Sequence, residues 1–182
     1  QRQMCIRDSI NNGNISGLDS VGGILGYYYC DDDMLLENTN NSGTITGRTA
    51  VGGIVGMGGG VSMSGPPSAG IGCVSVSRAE NSGAVSGSGN SVGGIIGVGT
   101  SSKSIDNVLN TGTVQGRDQV GGIIGNSVEG IVENALNLGQ VIATDGNAQY
   151  CGGIVGWGPG AIVSDKAVYA TTDKDFNTYD IS

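Results

Sequence analysis

The sequence predicts an all-β protein: a β-solenoid of about five coils, parallel β-helix-like, with roughly three short strands per coil. Three observations predict it. A segment V-G-G-I-[LVI]-G or a close variant recurs five times. A second segment, N-x-G-x-[IV]-x-G, precedes each copy at a nearly constant distance. Glycine is abundant, 36 of 182 residues, yet follows no collagen period, and apolar residues recur in ordered short runs that disordered chains lack.

The first block occupies 21–26, 51–56, 92–97, 120–125 and 151–156, with Cys151 standing where the other copies have valine. Successive starts lie 30, 41, 28 and 31 residues apart. The second block occupies 11–17, 41–47, 81–87, 110–116 and 137–143, and the spacing from its asparagine to the first block is 10, 10, 11, 10 and 14. It alternates with period 2, the mark of a strand. Asn41, Gly43, Ile45 and Gly47 share one face, predicted inward, and Ser42, Thr44 and Thr46 share the other. A third strand is expected before each asparagine, as in 105–110 and 132–137. Equivalent strands of successive coils would stack ~4.8 Å apart, so Asn41, Asn81, Asn110 and Asn137 would form an amide ladder near a corner. The paired glycines would let another layer of backbone approach closely. So many glycines and β-branched residues argue against helices.

The core GGILG, GGIVG and GGIIG, with its upstream N-x-G-x-[IV]-x-G, resembles the GLUG motif family across roughly residues 11–156, with isoleucine where that family more often has leucine. The resemblance implies a bacterial cell-surface or secreted setting, since such repeats occur in large surface proteins, including regions accompanying M26-type IgA-cleaving metallopeptidases. It carries over no catalytic residue, because the zinc-binding HExxH of those peptidases has no counterpart here. Residues 10–169 are predicted as the repeat region and 170–182 as a linker or the start of another segment. The opening 1–9 contains MCIRDS, which resembles a translated sequencing-adaptor remnant and would then be a non-native leader. The alternative is a genuine strand from Cys5 to Asn11 entering the first repeat.

Composition excludes several functions. The formal charge is −8 and the 8 Lys and Arg are scattered, which leaves no basic stripe for nucleic acid or an anionic membrane surface. No apolar run approaches the ~20 residues of a spanning helix. With no histidine, Ser-His-Asp and Cys-His catalysis and His-ligated zinc are out of reach.

The remaining candidates are local. Coil alignment puts Glu37, Ser77, Asp106 and Glu133 in one outward column, with Asp106 and Glu133 spaced as in a retaining glycosidase or simply forming a solvated ladder. Asp31, Asp32 and Asp33 offer carboxylate oxygens for Ca²⁺, against the simpler reading of a solvated turn. Tyr27, Tyr28, Tyr29 and Trp157 follow V-G-G-I strands and could stack on sugars, or cover the core. Cys30 and Cys73 lie in neighbouring coils within reach of a disulfide. Insertions at 57–75 and 143–150 break the period, where binding loops collect in repeat proteins. Together these predict a non-enzymatic stalk or spacer. The alternatives are a module binding glycans or host surface proteins and, more remotely, a carbohydrate-active solenoid.

Overall fold

A computed structural model of the chain describes residues 4–29, 32–59, 73–99, 104–128, 130–159, 161–163 and 168–169. Every strand pairing in it is parallel, and the strands form four sheets wound as a β-solenoid. Each complete coil therefore has four strands where three were expected. Sheet A holds the long strands Met34–Asn41, Val74–Asn81, Ser104–Asn110 and Gly130–Asn137. It is flanked by Met4–Arg7 with Ile10–Asn11 at one end and Ala161–Val163 with Val168–Tyr169 at the other. Sheet B collects the N-x-G-x-[IV] strands Ile15–Ser16, Ile45–Gly47, Val85–Gly87, Val114–Gly116 and Val141–Ala143. The V-G-G-I-[LVI]-G block supplies two strands per coil. Its first half ends a strand of sheet C, such as Thr49–Gly52, and its second half opens a strand of sheet D, such as Val55–Gly58.

Glycine causes that split. A Cβ on Gly52 would collide with the carbonyl oxygen of Val55, three residues on, and Gly93 and Gly121 stand in the same relation to Ile96 and Ile124. The chain folds back so tightly between sheets C and D that no side chain fits at the bend.

The core is divided in two. Leu36, Val76, Ile105 and Val132 of sheet A pack with Ile54, Ile95, Ile123 and the sheet D residues Val55, Ile96 and Ile124. Ile45, Val85, Val114 and Val141 of sheet B pack with Val51, Val92 and Val120 of sheet C. Between these stacks runs the predicted amide ladder. Each Nδ2 donates to the Oδ1 of the next coil's asparagine: Asn11 to Asn41 at 2.6 Å, and Asn41 to Asn81, Asn81 to Asn110 and Asn110 to Asn137 at 2.7 Å each. The same nitrogen donates within its own coil to the carbonyl two residues on, as in Asn41 to Gly43 at 2.8 Å. Asn41, Asn81, Asn110 and Asn137 are fully buried, and in the first three both amide protons have partners where water does not reach.

The ladder also explains why the two sequence blocks travel together. A Cβ on Gly53 would lie 2.5 Å from Asn81 Cγ. Gly23 faces Asn41, Gly94 faces Asn110 and Gly122 faces Asn137 in the same way. The second glycine of each V-G-G leaves room for the asparagine of the following coil.

Two columns of left-handed residues bend each coil. In sheet A they are Asp8, Asn38, Arg78, Asn107 and Asn134, with φ between 45° and 54°. Before sheet A turns at Asn38, Met34 and Leu36 point inward; after it, Thr39 and Asn41 do. One αL residue therefore shifts the alternation by one, as a bulge does. In sheet C the column is Ser20, Ala50, Ser91 and Gln119.

Candidate functional site

The acidic column forms as predicted. Glu37 pairs in register with Ser77, Ser77 with Asp106, and Asp106 with Glu133. Arg7 extends the column below Glu37. The left-handed residues beside it supply its partners. Glu37 bridges Arg7 at 2.9 Å and Arg78 at 2.5 Å. Asp106 accepts hydrogen bonds from Asn134 Nδ2 at 2.7 Å and from Asn107 Nδ2 at 2.6 Å. The column thus carries two surface clusters, the ion pairs Arg7–Glu37–Arg78 and the amide–carboxylate bonds of Asn107 and Asn134 to Asp106.

The aromatic residues divide by strand alternation. Tyr27 and Tyr29 are exposed, 48% and 54%, and their rings stack with centroids 6.4 Å apart and planes 17° apart. Tyr28 points the other way, is buried, and donates from its hydroxyl to the Asp32 carbonyl at 2.6 Å. Trp157 is half-buried and meets Tyr150 edge-on at 6.3 Å. Register places Tyr27, Met57, Val98, Asn126 and Trp157 in one column of sheet D, so the two aromatic pairs stand four rungs apart. Tyr150 was not singled out on sequence; its place inside the 143–150 insertion hid it.

Of the three aspartates, Asp31 lies outside the described residues. Asp33 Oδ1 accepts from the Cys73 backbone N–H at 3.1 Å, which ties the two neighbouring coils together. Among the described residues no three His, Cys, Asp or Glu side chains gather closely enough to hold a metal ion. Cys30 also lies outside the described residues, and with it the proposed pairing to Cys73. Of the insertions, 60–72 lies outside them too. The 143–150 loop is held by Asp118, whose Oδ1 accepts from the backbone N–H groups of Gln119, Gln149 and Tyr150 at 2.9, 3.2 and 3.0 Å. Cys151, replacing the block's valine, is half-buried against the sheet B and C core, and burial pushes its thiol pKa up.

At the turn from sheet B to sheet C, Arg48, Thr49, Ser88, Gly89, Asn90 and Arg117 line a groove of about 360 Å³. Arg48 donates to Asp19 from Nε at 3.0 Å and from Nη2 at 2.5 Å. That hydrogen bonding holds the Asp19 carboxyl below its usual range, against desolvation and with a smaller contribution from charge, and together with charge it holds Arg48 above its own. Arg117 pairs with Asp145 at 3.7 Å.

Fold and surface together define a parallel β-solenoid repeat region. A crystal structure described as a "putative immunoglobulin A1 protease" from Bacteroides ovatus is similar, with a TM-score of 0.64 at 20% identity over 96% of this chain. At that identity the likeness is one of fold, and the chain spans 56% of that protein's length. No protein-family profile matches the chain, and no curated protein matches it.

Proposed function

We propose that this chain is a non-enzymatic spacer within a bacterial cell-surface or secreted protein. The observation that carries the reading is the continuity of the ladders. The amide ladder and the sheet B register run through every coil from Asn11 to Asn137 without a break, despite insertions of different length. Insertions leave the axis untouched, which suits a rod whose stability sums over neighbouring coils. The GLUG-like motifs and the fold shared with a protein described as a putative IgA1 protease support the extracellular setting. Five rungs, four steps of ~4.8 Å, give a rise of ~19 Å. The test places the chain between a surface anchor and a reporter epitope. Deleting one coil should lower the epitope by ~5 Å without altering reporter activity, as read by energy transfer to a membrane dye. Unchanged height would overturn the reading.

A second reading, a glycan-binding module, is favoured by the exposed stacked pair Tyr27 and Tyr29. Aromatic faces held rigid by a sheet suit the apolar faces of sugars. Glycan-array binding lost on replacing both tyrosines by alanine would support it, and binding that survives the replacement would remove it.

A further inference from the structure

The spacing irregularity in coil three has a structural consequence. Coils two and four place an arginine immediately after the last glycine of the N-x-G block, Arg48 and Arg117. Coil three has one residue more before its V-G-G and carries Ser88, Gly89 and Asn90 there instead. Counted back from the register of Val92 with Val51 and of Asn90 with Asp118, Gly89 stands on the rung of Arg48 and Arg117: it donates to the Arg48 carbonyl at 2.8 Å and accepts from the Arg117 backbone N–H at 2.9 Å. A Cβ at Gly89 would lie 2.9 Å from Thr49 Oγ1. The rung between the two arginines is therefore cut back to small side chains, and the groove described above is the result.

Its chemistry points to an uncharged, hydroxyl-rich ligand. Both guanidiniums are already neutralised, Arg48 by Asp19 and Arg117 by Asp145, and the chain as a whole carries −8. Asp118, in register with Asn90, is also close, which leaves the corner no net positive charge to attract an anion. Donors nevertheless remain. A guanidinium has five N–H groups, and Asp19 takes those of Nε and one of Nη2 on Arg48. The Thr49 and Ser88 hydroxyls and the Asn90 amide add groups that both donate and accept. Planar donors fixed by an ion pair, facing small hydroxyl and amide side chains in a pocket at the small end of the ligand-site range, match the vicinal hydroxyls of a sugar ring.

We propose that this inter-coil groove is a subsite for one neutral sugar ring of a glycan. It depends neither on the spacer reading nor on the exposed tyrosines, Tyr27 on sheet D and Tyr29 just past the end of its strand. With no aromatic platform, the affinity for a single sugar is weak, of the order of millimolar.

The test is an amide and arginine Nε–H NMR titration of the full chain with D-galactose, D-mannose, D-glucose and D-glucuronate separately. The expected result is saturable shifts at Ser88, Gly89, Asn90 and Arg117 with at least one neutral hexose, unchanged by added salt. Two variants should weaken binding at least fivefold while preserving the remaining spectrum. Ser88→Arg fills the notch from an exposed position beside Gly89, so folding is expected to survive. Arg117→Gln removes one donor face at an exposed position. No saturable shift with any hexose, salt-sensitive binding of glucuronate alone, or hexose binding undiminished in Ser88→Arg would each overturn the proposal.

Discussion

Replacing Asn81 by alanine removes the centre of the amide ladder. Three hydrogen bonds go at once: the donation to Gly83 O at 2.9 Å, the donation to Asn110 Oδ1 at 2.7 Å and the acceptance from Asn41 Nδ2 at 2.7 Å. Asn81 and its ladder neighbours are fully buried, so the orphaned groups gain no water in exchange. Each buried polar group left without a partner costs about 1–3 kcal/mol. Some relaxation into the small space left behind reduces the sum, and the expected loss is about 3–5 kcal/mol. Asn11→Ala is the internal control. It loses comparable bonds, to Gly13 O at 2.8 Å and Asn41 Oδ1 at 2.6 Å, but stands at the end of the ladder where solvent can replace them. Its expected cost is about 1 kcal/mol. Urea unfolding followed by circular dichroism, with equal slopes for the variants, measures both. If the two substitutions cost the same, or Asn81→Ala costs under about 1 kcal/mol, burial of the ladder is not what holds the coils in register.

Three further outcomes follow from the geometry. Gly53→Ala drives a methyl into Asn81 and should destabilise by at least about 1–3 kcal/mol, whereas Gly146→Ala, with no neighbour near its Cβ, should change the urea midpoint little. Thr39 is buried with no partner for its hydroxyl, and Val108 and Ala135 hold the same column position two and three coils on. Thr39→Val should therefore stabilise by about 1 kcal/mol, and a drop in the urea midpoint would contradict the assignment. The Asp19 carboxyl, held down by Arg48, should titrate below the ordinary 3.8 by NMR and return towards it in Arg48→Gln. Because its folded pKa is depressed, the pair's contribution is present above that ordinary value and lost as pH falls through the folded one. An identical titration in both proteins would show that the ion pair does not form in solution.

Much of the fold was legible because its causes are local and repeated. The inward face of Asn41, Gly43 and Ile45 and the axial amide ladder follow from period-2 alternation and a fixed repeat, and both are present. The fourth strand was hidden because V-G-G-I-[LVI]-G reads as one run, while the bend inside it is imposed by backbone that only the folded coil brings within a Cβ of Gly52. The bulge in sheet A was hidden for a related reason. Arg78 occupies the same left-handed position as Asn38, Asn107 and Asn134, so no single residue type marked it, and the alternation shifts phase there. Among the candidate site residues, the acidic column followed directly from coil alignment. The opposite fates of Tyr27 and Tyr28 needed the strand's orientation, and the groove at Ser88 needed the register that puts Gly89 on the rung of Arg48 and Arg117.

Disulfide trapping along one sheet B column tests parallel, in-register stacking most directly. Thr46 pairs with Ser86, and Ser86 with Gln115, on the outward face. Adjacent rungs place Cα atoms ~4.8 Å apart, inside the range a disulfide spans, and alternate rungs ~9.6 Å apart, outside it. The account predicts that Thr46→Cys with Ser86→Cys cross-links on mild oxidation of the folded protein, located by peptide mapping, and that Thr46→Cys with Gln115→Cys does not. Equal cross-linking of both pairs, or of the second alone, would contradict the solenoid register.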